Sequence, residues 1–311
     1  MARRWLSIRC GISKSVYLIG VGSLSGLLLF FYFLEFKMLH IYEKVPSKMS
    51  TIIVAFDAGA RAEHGKYSPG IAHMLEHMMF KGTERRTYLD IPKEISFLGG
   101  NFNAFTSQEM VAYYIMVPYD NLEPAMEILS DMVFNSTLPE DEFLKEREVV
   151  LEEEASSNDN IFPFIMKSLS SEFFTGRLAE PVIGTQESIS GFTHEELKGF
   201  YEEFYSTDNA IVTLVSNLDE GGARELMVEY FGEPTEPAEK KVPMFEPAYT
   251  HTRTVNIHRP QLEHSYVFLA YPGFTVDSED EVAMDILMEI FGSGMDSRLF
   301  TEVREKHGLC Y

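Results

Sequence analysis

Apolar and polar positions along this chain change period several times, and each change predicts an element. Residues 50–59, STIIVAFDAG, form a β-branched run that ends at glycine and reads as a buried strand. After the polar loop ARAEHGKYSP, Pro69 suits the start of a helix with Ser68 as its N-cap. Helical periodicity then runs from Ile71 to Phe80, and Gly82 stops it. A second helix fits 89–98 and ends at Gly99 and Gly100, after which AFTSQEMVAYYIMVP supplies strand material up to Pro118. Helical patterns follow at 121–134, 139–156, 161–175 and 193–204. NAIVTLVSN (209–217) then reads as a strand and EGGARELMVEYFG as a helix, while FKMLHIYE near the start reads as another strand. Strands and helices mix without a regular βαβ rhythm, which predicts an α+β fold.

The stretch GEPTEPAEKKVPMFEPAY (232–249) interrupts all periodicity with four prolines and mixed charges, and predicts a domain boundary. Beyond it the order of the first unit recurs. HSYVFLAYPG (264–273) reads as a strand, DSEDEVAMDILMEIFG as a helix with an acidic start, and GSGMDSRLF as a turn. This weak internal similarity suggests a duplicated domain whose second copy is incomplete and lacks a histidine pair. The expected organisation is a leader at 1–34, a first domain at 35–235, a linker at 236–249 and the incomplete second domain at 250–311.

Composition narrows the function. The chain has 311 residues, 45% of them hydrophobic, enough to bury a substantial core. Its 48 acidic against 26 basic residues give a net charge of -22, which argues against nucleic acid as a partner. Such a surface suits basic peptides or metal cations, although plain solubility accounts for it as well. The two cysteines, Cys10 and Cys310, allow neither a disulfide framework nor a cysteine zinc site. A metal would therefore rest on His, Asp and Glu.

The leader differs from the rest. MARRWLSIRCGISKS is basic and free of acids, and Val16 to Leu34 is uncharged and long enough to cross a bilayer. A membrane anchor or export signal through 16–34 is one reading. An organelle transit peptide, or a partly buried strand, is the other, and the compartment stays open between membrane, exported, cytoplasmic and organelle matrix.

The chemistry concentrates in GIAHMLEHMMFKGT, residues 70–83. Positions four apart share a helix face, so His73 and His77 can aim at one point with Glu76 on the adjoining edge. Two imidazoles suit Zn²⁺, a catalytic zinc needs a third protein ligand plus water, and Glu76 is then the base acting on that water. A core helix with incidental histidines is the plainer alternative. The order H-x-x-E-H, however, is the inverted zinc-peptidase motif.

On these residues the chain resembles the pitrilysin, insulysin and mitochondrial processing peptidase family of zinc metallopeptidases, over nearly all of 35–311. The resemblance implies a third ligand on a later helix, where LKEREVVLEEEASSND places Glu153, with Glu146 supporting the site. Glu146, Val150 and Glu153 do share one helical face. Glu152, Glu153 and Glu154 are consecutive, so a neighbour one position away stays open as the ligand. GGNFNAFTSQEMVAYY is similar to the family's edge strand, which implies that Asn103, Ala104 and Phe105 bind extended substrate by strand addition. SRLFTEVREKHGLCY places Arg304 and Tyr311 where the family has an Arg and Tyr pair acting on substrate and the polarised carbonyl oxygen. Two departures stand out: Asn217 occupies a usual glycine, and the family's second domain continues past Tyr311, which suggests a C-terminally truncated member.

The resemblance thus implies two related antiparallel-sheet-plus-helices domains closing like a clamshell, a single Zn²⁺ per chain, and endopeptidase activity on extended or unfolded peptides. A non-catalytic peptide-binding or assembly subunit of the same fold is the alternative. A homodimer or partner chain would then complete the clamshell.

Overall fold

Ile52, Val54 and Phe56 are fully buried and alternate with residues on the other side of the chain, the period of two that places a strand in the middle of a sheet. In a computed structural model, which describes residues 6–9, 15–18, 39–234, 254–259, 263–273 and 278–310, the chain forms two compact units, Met1–Ala248 and Tyr249–Tyr311. The first unit begins with an antiparallel pair, β1 (Leu6–Arg9) and β2 (Ser15–Leu18). Its main sheet is built from β3 (Leu39–Lys44), β4 (Met49–Phe56), β5 (Asn101–Thr106), β6 (Val111–Pro118) and β7 (Ala210–Ser216). The strand order is β3-β7-β4-β6-β5, so β5 lies on an edge.

The helices of this unit are α1 (Ile71–Met78), α2 (Asp90–Phe97), α3 (Leu122–Phe134), α4 (Glu140–Asp159), α5 (Ile161–Phe173), α6 (Gln186–Gly191), α7 (His194–Phe204) and α8 (Glu220–Phe231). One core joins the sheet to them. Met74, Leu75 and Met78 of α1 share it with Ile52, Val54 and Tyr113 from the strands, Leu129 of α3 and Phe200 of α7. Full burial of each such side chain contributes about 1.5–3 kcal/mol, so α1 is held by its apolar face while its polar face is free to carry chemistry.

Three expectations change. The sheet is mixed rather than antiparallel throughout, because β3 pairs with β7 in parallel while the other neighbours are antiparallel. Local patterning cannot show this, since the two strands lie at opposite ends of the unit. The expected strand material at 104–118 is two strands, β5 and β6, separated by a turn in which the Ser107 amide donates to the Met110 carbonyl at 2.8 Å. The second unit contains α9 (Glu281–Met288), but 264–273 forms no strand. Among the described residues this unit offers no partner strand, and apolar alternation alone cannot make a ladder.

Of the uncharged segment 16–34, residues 16–18 lie in β2 and the rest falls outside the described residues. Among the described residues no helix is long and apolar enough to cross a membrane. The predicted linker 236–249 also lies outside them.

Candidate metal centre

The start of α1 differs from the sequence expectation. Gly70, with φ of 98°, takes the N-cap position, and neither Ser68 nor any other neighbouring side chain caps the helix. The carboxylate of Glu63 does so from the preceding 3-10 turn, Ala60–Glu63. It accepts from Gly70 N at 3.1 Å and Ala72 N at 3.0 Å. From this start His73, Glu76 and His77 emerge half-buried on the face turned away from the core.

On α4, Glu146 and Val150 are buried, and Glu153, on the same face, reaches the histidines. His77 Nε2 lies 3.4 Å from one oxygen of Glu153 and His73 Nε2 lies 3.9 Å from the other. One donor atom from each of His73, His77 and Glu153 falls within 4.8 Å of the others. Among the described residues no other trio of His, Cys, Asp or Glu converges in this way. Of the three consecutive glutamates, Glu153 is the one that faces the histidines, and Glu154 is buried and turned to α5, accepting from Lys167 Nζ at 2.6 Å and Asn158 Nδ2 at 2.8 Å.

Glu146 holds the second histidine in place. Its Oε1 lies 3.0 Å from Nδ1 of His77, and its other oxygen pairs with Lys81. A carboxylate at Nδ1 fixes that nitrogen as a donor, so Nε2, which faces Glu153, is the nitrogen that can take a metal in place of its proton. Thr106, at the end of β5, donates its hydroxyl proton to Oε2 of Glu76.

The electrostatics separate the four groups. Burial, with His77 adding to it, lowers His73 to about 4, so its ring is neutral, the form that binds a cation. Burial works in the same direction on His77, but hydrogen bonds to Glu146 and Glu153 outweigh it and lift the metal-free ring to about 9. A proton there sits between carboxylates, where a cation would otherwise balance them. Burial raises Glu76 above the usual carboxylate range, against the pull of the Thr106 hydrogen bond. The hydrogen bond from His77 holds Glu153 below that range.

This donor set fits zinc: two imidazole nitrogens and one carboxylate oxygen converge, one imidazole tautomer is fixed by Glu146, and the other ring is held neutral. A group of this kind could bind a metal ion.

The remaining predicted residues are placed as follows. Asn103, Ala104 and Phe105 lie on the edge strand β5, with Asn103 and Phe105 exposed and Ala104 packed toward the core. Arg304 lies in the second unit, in the π-helical turn Phe300–Lys306, with its guanidinium 4.5 Å over the ring of Phe300. Tyr311 lies outside the described residues. Sequence reading missed Glu63, Lys81, Thr106 and Arg177. Of these, only Lys81 carried a local signal, four residues after His77 and so on the same face if the helix continued.

Comparison with known proteins places the chain among relatives. The insulinase family (Peptidase family M16) matches residues 39–186, and the Peptidase M16 inactive domain matches 191–311. The chain is 31% identical over 273 residues to the uncharacterized zinc protease YmxG of Bacillus subtilis, covering 87% of this chain and 66% of that protein. It is 34% identical over 255 residues to an uncharacterized zinc protease of Rickettsia felis, covering 81% and 61%. The chain thus spans somewhat under two thirds of these relatives' length. The crystal structure of a protease from Helicobacter pylori superposes with a TM-score of 0.73 at 26% identity, over 89% of this chain and 68% of that one. With both M16 regions matched and zinc proteases as its relatives, the chain belongs to the peptidase M16 (insulinase) family.

Proposed function

We propose that this chain is a zinc endopeptidase that hydrolyses peptide bonds in extended or unfolded segments, with one zinc per chain held by His73, His77 and Glu153. The observation that carries the reading is the convergence of those three side chains beside Glu76. Zinc in such a set supplies a Lewis acid that polarises a peptide carbonyl and lowers the proton affinity of water.

The chain's own residues do the rest. Glu76 takes the proton from the attacking water and returns it to the leaving amine. Burial raises its proton affinity, which favours the proton-accepting half of that task. Thr106 fixes the direction of the carboxylate, and Glu146 with Lys81 fixes the ring of His77. The open edge of β5 around Asn103, Ala104 and Phe105 pairs with the backbone of an extended peptide, which selects for unfolded segments over folded ones. Arg304 and Tyr311 act on substrate and on the developing charge of the carbonyl oxygen.

Zinc content and cleavage of a quenched peptide library test this in the full chain and in Glu76→Gln. The expected result is zinc in both and cleavage in the parent alone. Zinc without cleavage in the parent would instead assign it to the non-catalytic, peptide-holding class.

A further inference from the structure

Glu63 is fully buried, yet it is a carboxylate far from the water that would solvate it. Its charge is answered by Arg177, whose side chain is 5% exposed. Arg177 Nε donates to Glu63 Oε2 at 2.8 Å and to the Ala60 carbonyl at 2.9 Å, and Nη2 donates to the same carboxylate oxygen. Glu63 Oε1 also accepts from the amides of Gly70 and Ala72. Both oxygens of one carboxylate are thereby engaged by the end of α1 and by a guanidinium from the 3-10 turn Gly176–Ala179.

The same end of α1 is gripped by the chain that follows Arg177. Gly70 and Gly184 face each other so closely that a Cβ on Gly70 would lie 2.5 Å from the Ile183 carbonyl oxygen, and one on Gly184 would lie 2.5 Å from that of Pro69. Ser188 Oγ donates to the Pro69 carbonyl at 2.7 Å. The helix that carries His73 three residues after Gly70 is thus referenced to the segment that comes after α4, which carries Glu153, and α5. Buried ion pairs are poor sources of net stability compared with apolar packing, since desolvation offsets their attraction. What this one supplies is a fixed position, as its directional bonds end on the first turn of the ligand helix.

We propose that Glu63 and Arg177 are positioning residues for the metal centre, setting the placement of α1 so that His73 and His77 meet Glu153. The inference rests on the reading of that trio as a zinc site and acts through it, since neither residue touches the ligands' side chains.

The test uses the full chain with Glu63→Gln and Arg177→Lys. Zinc affinity is measured by chelator competition, alongside kcat, KM and the thermal midpoint of the metal-free proteins. Arg177→Lys keeps the charge and loses the two-point grip. Folded variants are expected to bind zinc about tenfold more weakly, as when groups supporting metal ligands are lost, with kcat reduced and KM unchanged. A lower thermal midpoint with parental zinc affinity and kcat in the folded protein would overturn the inference, leaving a purely structural pair. Failure of both variants to fold would overturn it in the same sense. The two claims separate cleanly: a parent that binds zinc but cleaves nothing defeats the peptidase reading, while the affinity comparison still decides this one. A parent that binds no zinc defeats both.

Discussion

Nδ1 of His77 lies 3.0 Å from Oε1 of Glu146, and the other oxygen of Glu146 pairs with Lys81, four residues further along from His77. This chain of three side chains ties the second imidazole to α4, the helix that also supplies Glu153. Lys81 balances the charge of Glu146, whose own burial would otherwise disfavour it; with His77, it holds that carboxylate below its ordinary range. The orientation of a ligand is therefore set by residues that would not touch the metal.

Replacing Glu146 by Gln removes the charged acceptor at Nδ1 and leaves Lys81 without its partner in this pair. Zinc affinity is expected to fall about 10- to 100-fold with the fold retained, because partners of this type hold a histidine's tautomer and angle. Chelator competition measures it, and an unchanged affinity would show that Glu146 plays no part in holding His77.

Thr106→Val keeps the volume at the end of β5 and deletes the hydroxyl that donates to Glu76. Losing one hydrogen bond to a charged acceptor, worth ~1.5 kcal/mol, lowers kcat by about an order of magnitude. The direction of the pH effect is fixed as well. The Thr106 bond holds the Glu76 carboxyl down, so its loss raises that group further and moves the acidic limb of the kcat profile to higher pH. A profile that stays in place would separate Thr106 from the base.

Asp131, whose side chain is 2% exposed, accepts from Thr83 Oγ1 at 2.6 Å, Arg86 Nη1 at 2.7 Å and Arg85 Nε at 3.3 Å. Burial would raise this carboxyl, but Thr83, Arg86 and Arg85 together lower it. Its folded value lies below the unfolded value, so the stability it adds is fully present above the unfolded value of 3.8 and is lost as pH falls through the folded one. Urea midpoints are expected to drop in that acid window for the parent and to vary less there for Asp131→Asn. The variant should also be about 3 kcal/mol less stable at neutral pH, chiefly because the half-buried Arg86 is left short of a charge, Arg85 being exposed. Parallel pH profiles for the two proteins would remove Asp131 from the acid response.

The legible part of the molecule was the part with short-range periodicity. His73, Glu76 and His77 were readable as a group because i and i+4 share a helix face, whereas Glu153 came from the family resemblance, supported by its helical phase with Glu146 and open to a neighbour one position away. Strands β4 and β7 were readable from their β-branched runs. The direction of β3 was not, since parallel pairing with β7 depends on where distant chain ends meet. Nor was the cap of α1: Ser68 looked suitable by type, but its backbone amide donates to Glu196 while Glu63, from the turn before, takes the helix amides. Arg177 could not be connected to Glu63 from sequence, because nothing local records a contact across so long a stretch of chain.

The most direct measurement is anomalous X-ray scattering at the zinc edge from crystals of the zinc-loaded chain. The account predicts one strong peak per chain, bounded by Nε2 of His73, Nε2 of His77 and the carboxylate of Glu153, with Glu76 beside it but not a ligand. A peak held by other residues, or none at that trio in a zinc-loaded crystal, would contradict it.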